Sequence, residues 1–331
     1  MGRNFLITGG AGFVGSSLAQ KLLFRGERII VVDNFNEYLH SASVKERNIR
    51  ELYDSLEENS LPKTNLVVIR GDIRDIDLVA EALSKYEVDT IIHLAALVAV
   101  APSIEDSLTY FNYNLIGTIS VLEAAKKAGI KKIIYASSVA VYGDNENDHF
   151  LETDETSKPL TPYAATKKAA EVVAHAYHHL NQASIVCLRF HTAYGPKQRP
   201  DMALFKFTEA IYAGKEITLF GDGSSTRDYT YIDDLIGGII NTIDWVKDQE
   251  NVYEIINLGE ARMVTLLESV RCLEKVIGIK AKLVHVPLRP GELQRTCADI
   301  DKAKKLIGYD PKFSFEEGIE EFIKWYNKIV R

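Results

Sequence analysis

Residues 4–16, NFLITGGAGFVGS, run from a β-branched apolar segment into glycines at positions 9, 12 and 15. Glycines at three-residue steps leave backbone N–H groups uncovered at the start of a helix, and such a turn wraps a pyrophosphate. A strand that enters a helix through so tight a turn belongs to a βα unit, which constrains the rest of the chain. Five more apolar segments repeat the pattern: RIIVV (28–32), NLVVIR (65–70), TIIHLAA (90–96), KKIIYAS (131–137) and SIVCLRF (184–190). Amphipathic stretches such as GTISVLEAAKKAG (117–129) separate them. Continuous apolar strands alternating with helices imply a parallel sheet covered on both faces, so the expected fold class is α/β, a doubly wound parallel (Rossmann) sheet.

Beyond residue 190 glycine and proline clusters interrupt the pattern, at YGPKQRP (194–200), FGDGSST (220–226) and VPLRPGE (286–292). The expected division is a dinucleotide-binding domain over 1–190 with a return segment at 233–258. A smaller C-terminal substrate-binding domain would take 191–232 and 259–331. The charged stretch VKERNIRELYDSLEEN (44–59) reads as a solvated surface helix, and FEEGIEEFIKWYNKIV (315–330) as an amphipathic helix packed on the body.

Composition excludes several roles. The net charge is −7 and no basic run exceeds a lysine pair, so there is no electrostatic footprint for nucleic acid or an anionic membrane. The longest apolar run, IIHLAALVAVA (91–101), is too short to span a bilayer. Cys187, Cys272 and Cys297 lie far apart without a CxxC pair, which suits reduced thiols and a cytoplasmic location. His175 and His179 stand at i, i+4 with no carboxylate to complete a metal site, and His93, inside a strand, reads as a core residue.

In the glycine turn, Gly9, Gly12, Phe13, Val14 and Gly15 are the expected pyrophosphate contacts. Asp33 ends the second strand about twenty residues on, where a carboxylate accepts from the adenosine ribose hydroxyls and repels a 2′-phosphate. With Asn34 beside it and no arginine, NAD is expected rather than NADP. GDIRD (71–75) places Asp72 and Ile73 near the adenine, with helix capping as the alternative role for the aspartate.

TPYAATKKAAE (161–171) sets Tyr163 and Lys167 one helical turn apart on a shared face. A hydride-transfer reaction on an alcohol needs a base for the hydroxyl proton, and tyrosine, with a reference pKa of about 10, is a poor one at neutral pH. Bringing it into the neutral range takes about 4 kcal/mol of preferential phenolate stabilisation, which a nearby ammonium and a cationic nicotinamide can supply in a dry site.

TGGAGFVGS, GDIRD, HLAA, NLIGT, SSVAVYG and YAATK occur in the order and spacing of the extended short-chain dehydrogenase/reductases, and the chain resembles their nucleotide-sugar epimerase/dehydratase group over essentially its whole length. The resemblance implies Ser138 as the third catalytic member with Tyr163 and Lys167, and Ser137 as a neighbour able to contact substrate. It also implies Leu94, Ala95, Ala96 and Asn114 as cofactor-side residues and a homodimer formed through helices 107–128 and 163–181. The 4,6-dehydratases of this group carry an Asp-Glu pair after the serine position, whereas Val139-Ala140 stands here. Apolar groups cannot shuttle protons, so the expectation is reversible oxidation at C4 of a UDP-sugar, with retained NAD and inversion. Another nucleotide-sugar epimerase or decarboxylase, or a catalytically silent NAD-binding protein, are the alternatives. FHTAYGPKQRPDMALFKF (190–207) resembles UDP-glucuronate 4-epimerases, which implies that Thr192 and Arg199 face a sugar carboxylate. His191 and Ala101 depart from that pattern, so a neutral UDP-hexose stays open. Arg227 and Arg289 are expected on the diphosphate and Glu292 on the uridine.

Overall fold

The computed structural model describes residues 2–287, 291 and 293–329. Its strands are β1 (Asn4–Thr8), β2 (Arg28–Asp33), β3 (Leu66–Arg70), β4 (Thr90–His93), β5 (Lys132–Ser138), β6 (Ser184–Phe190), β7 (Thr192–Tyr194), β8 (Glu216–Phe220), β9 (Thr226–Tyr231), β10 (Tyr253–Leu258), β11 (Met263–Thr265) and β12 (Lys282–Val286). The helices are α1 (Phe13–Phe24), α2 (Ala42–Glu58), α3 (Ile76–Lys85), α4 (Val100–Glu105), α5 (Ser107–Tyr110), α6 (Gly117–Ala128), α7 (Pro162–Asn181), α8 (Ala203–Ala213), α9 (Ile232–Val246), α10 (Leu266–Ile277), α11 (Asp301–Ile307) and α12 (Phe315–Ile329). Among the described residues no helix is long and apolar enough to cross a membrane.

Seven strands form one parallel sheet in the order β10-β6-β5-β4-β1-β2-β3. Phe5, Leu6 and Ile7 of β1 and Ile29, Ile30 and Val31 of β2 are fully buried, because helices cover both faces, and this is why these strands read as unbroken apolar runs. The strand order reverses between β1 and β4, so their carboxyl ends diverge into a crevice, the place where doubly wound sheets bind ligands. The seventh strand, β10, joins parallel to β6 with Ile255 opposite Cys187, so α9 and β10 return the chain to the first sheet.

TIIHLAA does not remain a strand to its end: β4 stops at His93. Leu94 N–H still reaches Thr8 O at 3.2 Å, but Ala95 N–H turns to the Thr8 hydroxyl as the chain leaves the sheet past Gly9. The charged 44–59 stretch is also more than a solvated helix. It lies in α2, which buries Ile49, Leu52 and Leu56 at helical spacing against the core.

The two small sheets, β11-β9-β7 and β12-β8, come from the chain after residue 190. The C-terminal helix α12 is an amphipathic element, with Phe315 packed on Tyr194 of β7 and Tyr229 of β9 and the buried Tyr326 edge-on to Phe205 of α8 at 5.2 Å.

Candidate active site

The turn after β1 is built for close approach. Gly9 has φ +70°, and a Cβ there would lie 2.8 Å from the Ala95 backbone; one at Gly15 would lie 2.4 Å from Gly9 O. Gly12 is the N-cap of α1 and offers no side chain to its first amides, so the N–H groups at Phe13 and Val14 begin a helix whose positive end opens on the crevice. A dinucleotide pyrophosphate fits this cradle.

Asp33 is buried at the carboxyl end of β2 and accepts from Phe35 N–H at 2.8 Å and Ala11 N–H at 3.3 Å. Lys45 of α2 pairs with the oxygen that Phe35 N–H reaches, Oδ1, at 3.2 Å, a partner that no sequence spacing pointed to. Asn34 donates to Asp72, and Arg74 grips the same carboxylate through Nε and Nη2 at 2.8 and 2.7 Å. Those hydrogen bonds, Arg74's first, hold the Asp72 carboxyl at about 2. Ile73 is buried close to Gly117, where a Cβ would meet it at 2.7 Å. Asn114 sits in a π-helical turn over Phe111–Ile116. It exchanges hydrogen bonds with Leu97 N and O at 2.8 and 3.0 Å and reaches the Thr166 hydroxyl at 3.1 Å, tying the loop after Leu94, Ala95 and Ala96 to α7.

The Asp33–Lys45 pair gives a test. Asp33→Ala leaves Lys45 without its carboxylate partner, and a cation beside an adenosine ribose would attract a 2′-phosphate. The expected result is a shift of at least about tenfold in the NADP-to-NAD affinity ratio, read by fluorescence titration of stripped protein; an unchanged ratio would remove Asp33 from the ribose site.

Ser138 ends β5, and Tyr163 and Lys167 lie on α7. The helix starts sharply because Thr161 caps Ala164 N–H at 3.2 Å and Pro162 occupies its first turn. Lys167 is buried, donates from Nζ to Ala136 O at 2.7 Å and lies 5.0 Å from the Tyr135 ring centre. Burial pulls its pKa down to about 7, against the opposing pull of Glu171. Tyr163 is buried edge-on to Tyr110 at 6.4 Å. Burial pushes its phenol up, while a hydrogen bond from Ser138 and the charge of Arg199 act the other way. The chain alone therefore brings the three groups together but does not make the phenol acidic; a cation arriving with a cofactor has that work left to do.

Ser137 precedes Ser138 on β5 and meets α7 two turns beyond Tyr163. Its hydroxyl donates to Glu171 at 2.6 Å, inside a buried bidentate pair of Glu171 with Arg189. The structure thus engages the Ser137 hydroxyl with α7 through Glu171. Glu171 itself was missed: in sequence it is one more polar residue of an alanine-rich helix. His93, by contrast, is a satisfied core residue between the hydroxyls of Thr8 and Thr118 at 2.7 and 3.0 Å, and burial lowers its pKa to about 3.

Thr192 on β7 and Arg227 on β9 line one cleft of about 130 Å³ with Gln198, Met202 and Ser225. Arg199, in the loop leading to α8, reaches across to Val98 O at 2.7 Å and so stands over the same crevice as Tyr163. His191 is fully buried, and Asp228 lies 3.6 Å from its Nδ1. Arg289 and Glu292 lie outside the described residues.

A seven-stranded parallel sheet, a glycine turn at its crevice, and Ser138 at the end of β5 with Tyr163 and Lys167 on α7 define an extended short-chain dehydrogenase/reductase. Comparison with known proteins narrows this: the sequence profile of GDP-mannose 4,6 dehydratase matches residues 6–322, and the chain belongs to that family. A UDP-glucuronate 4-epimerase of Thermodesulfobacterium geofontis is 37% identical over 322 residues, 97% of this chain and 95% of that one. The crystal structure of UDP-glucuronic acid 4-epimerase from Bacillus cereus, in complex with UDP-glucuronic acid and NAD, superposes with a TM-score of 0.89 at 33% identity, covering 98% of this chain and 99% of that one. A UDP-glucose 4-epimerase of Thermotoga maritima, with UDP-glucose, gives 0.86 at 29% identity, covering 99% and 100%.

Proposed function

We propose that this protein is an NAD-dependent UDP-sugar 4-epimerase and that its preferred sugar is a hexuronate, interconverting UDP-glucuronate and UDP-galacturonate. The observation that carries the reaction type is a Ser138, Tyr163 and Lys167 set followed by Val139 and Ala140, which cannot shuttle the protons that a 4,6-elimination needs. The sugar preference is supported by Arg199, a guanidinium whose charge is felt at Tyr163. Relatives that are named UDP-glucuronate 4-epimerases support both parts.

NAD would lie across the glycine turn with its adenosine ribose at Asp33, and when bound it supplies the hydride acceptor and donor. The chain's own groups handle the protons. Tyr163 takes the C4 hydroxyl proton, with Ser138 hydrogen-bonded to the reacting oxygen and Lys167 stabilising the phenolate. The 4-keto sugar then turns its other face, and Tyr163 returns the proton to the inverted alcohol. No net oxidation occurs. By resemblance, Thr192 and Arg227 hold the sugar nucleotide along the cleft they share, and Arg289 and Glu292 complete the diphosphate and uridine contacts.

We further propose a cytoplasmic homodimer. Buried, free Cys187 and Cys297 suit a reducing compartment. Leu108 and Leu180 are 81% and 79% exposed, and with Ile116 and Val172 they leave an apolar stripe on the α5–α7 face. Leu180→Glu with Leu108→Glu is expected to convert the dimer to monomer in sedimentation velocity; an unaltered sedimentation coefficient would place the interface elsewhere.

The deciding experiment incubates the purified protein, without added cofactor, with UDP-glucuronate and separately with UDP-glucose, and reads C4 configuration by proton NMR. Conversion of UDP-glucuronate supports the full reading, and conversion of UDP-glucose alone makes the enzyme a neutral-sugar epimerase. Conversion of neither, with NAD still bound, favours the catalytically silent alternative, and release of CO2 favours a decarboxylase.

A further inference from the structure

Arg199 already holds a carboxylate. Its Nε and Nη2 donate to the two oxygens of Asp201 at 2.9 and 2.6 Å, the forked arrangement that a guanidinium makes with any carboxylate group. The second Nη2 hydrogen is taken by Val98 O at 2.7 Å. The pair is well shielded, with side-chain exposures of 16% and 21%. One edge of the guanidinium is thus occupied from within the RPD segment, while Nη1 meets no partner among the described residues.

We infer that Asp201 limits the site's preference for a hexuronate, as an internal carboxylate that competes with a C6 carboxylate of the substrate for Arg199. The inference rests on the proposed role of Arg199 at the sugar. A neutral hexose leaves the Arg199–Asp201 pair undisturbed. A hexuronate must either displace Asp201 from the Nε/Nη2 edge or accept from Nη1 alone, next to a guanidinium whose charge is already compensated. In both cases its carboxylate gains less than it would from a lone arginine and feels the negative charge of Asp201. Asp201 does not touch the reacting atoms; it acts through Arg199 and is a positioning residue. Its carboxylate also fixes the guanidinium plane, and with it the bridge from the 195–202 loop to Val98.

The test is calorimetric titration of the NAD-bound protein with UDP-glucuronate and with UDP-glucose, which differ only at C6, in the natural chain, Asp201→Asn and Asp201→Ala. Asn keeps the size and one acceptor but removes the charge. The expected result for Asp201→Asn is a rise of about fivefold in the affinity ratio of UDP-glucuronate to UDP-glucose, with a steeper loss of that advantage as salt is raised. Asp201→Ala is expected to move the ratio in the same direction. A ratio that stays constant or falls in Asp201→Asn overturns the inference, and so does an equal weakening of both ligands, which would make Asp201 only a brace for the loop. A chain that binds neither sugar nucleotide in any variant overturns it as well. Because binding is read, a protein that shows the expected ratio change but inverts no sugar by NMR would keep this inference while losing the epimerase reading.

Discussion

Tyr163→Phe is expected to lower kcat for sugar inversion by about 10²- to 10⁴-fold, the range over which a positioned proton-transfer group acts. The substitution removes one oxygen from a ring that is buried and edge-on to Tyr110 at 6.4 Å, so the packing that holds α7 against the crevice is kept. KM for the UDP-sugar should change little, because the lost interaction strengthens only as the C4 proton moves. Bound NAD should remain at the level of the natural chain, read from absorbance after denaturation. Turnover within about tenfold of the natural chain would show that another group, Ser138 being the nearest candidate, takes the proton directly. Lys167, one turn along α7, is buried with its pKa pulled down to about 7, and its Nζ donates to Ala136 O at 2.7 Å.

How far the sequence disclosed this site depends on how local each signal is. All six apolar segments became neighbours in one parallel sheet, since a buried strand and a glycine turn are written in consecutive residues. The three-residue strands β7 and β11 were not legible, being too short to show a period. Tyr163 and Lys167 could be read because four residues on a helix are one turn. Lys45 could not: it meets Asp33 only because α2 folds back over the end of β2, which no spacing encodes. Asp201 and Glu171 were passed over for a related reason. Each looks like solvated polarity in sequence, and each acquires meaning from an arginine, two residues away for Asp201 and on strand β6 for Glu171 of α7.

The second arginine pair carries the largest expected effect on stability. Glu171 and Arg189 are each 1% exposed at the side chain and meet through Nε–Oε1 and Nη2–Oε2 contacts of 2.9 Å. Removing one member leaves the other as an uncompensated buried charge, so Glu171→Gln is expected to cost about 3–5 kcal/mol, read as a lowered urea midpoint at unchanged m. Replacing both with methionine should recover much of that loss, because two apolar groups of similar size leave no charge to desolvate. A single variant as stable as the natural chain would mean that water reaches the pair. The consequence extends to catalysis through geometry. Tyr163, Lys167 and Glu171 follow each other at four-residue steps on α7, and the arginine that Glu171 grips lies on β6 directly opposite Ser137 of β5. The pair thus pins this face of the helix to β6, the neighbour of the strand that ends in Ser138. Glu171 also raises the pKa of Lys167, so its loss moves that pKa further down and neutralises the ammonium at a lower pH. In Glu171→Gln the alkaline limb of the kcat profile should therefore shift to lower pH, a change that loss of stability alone would not produce.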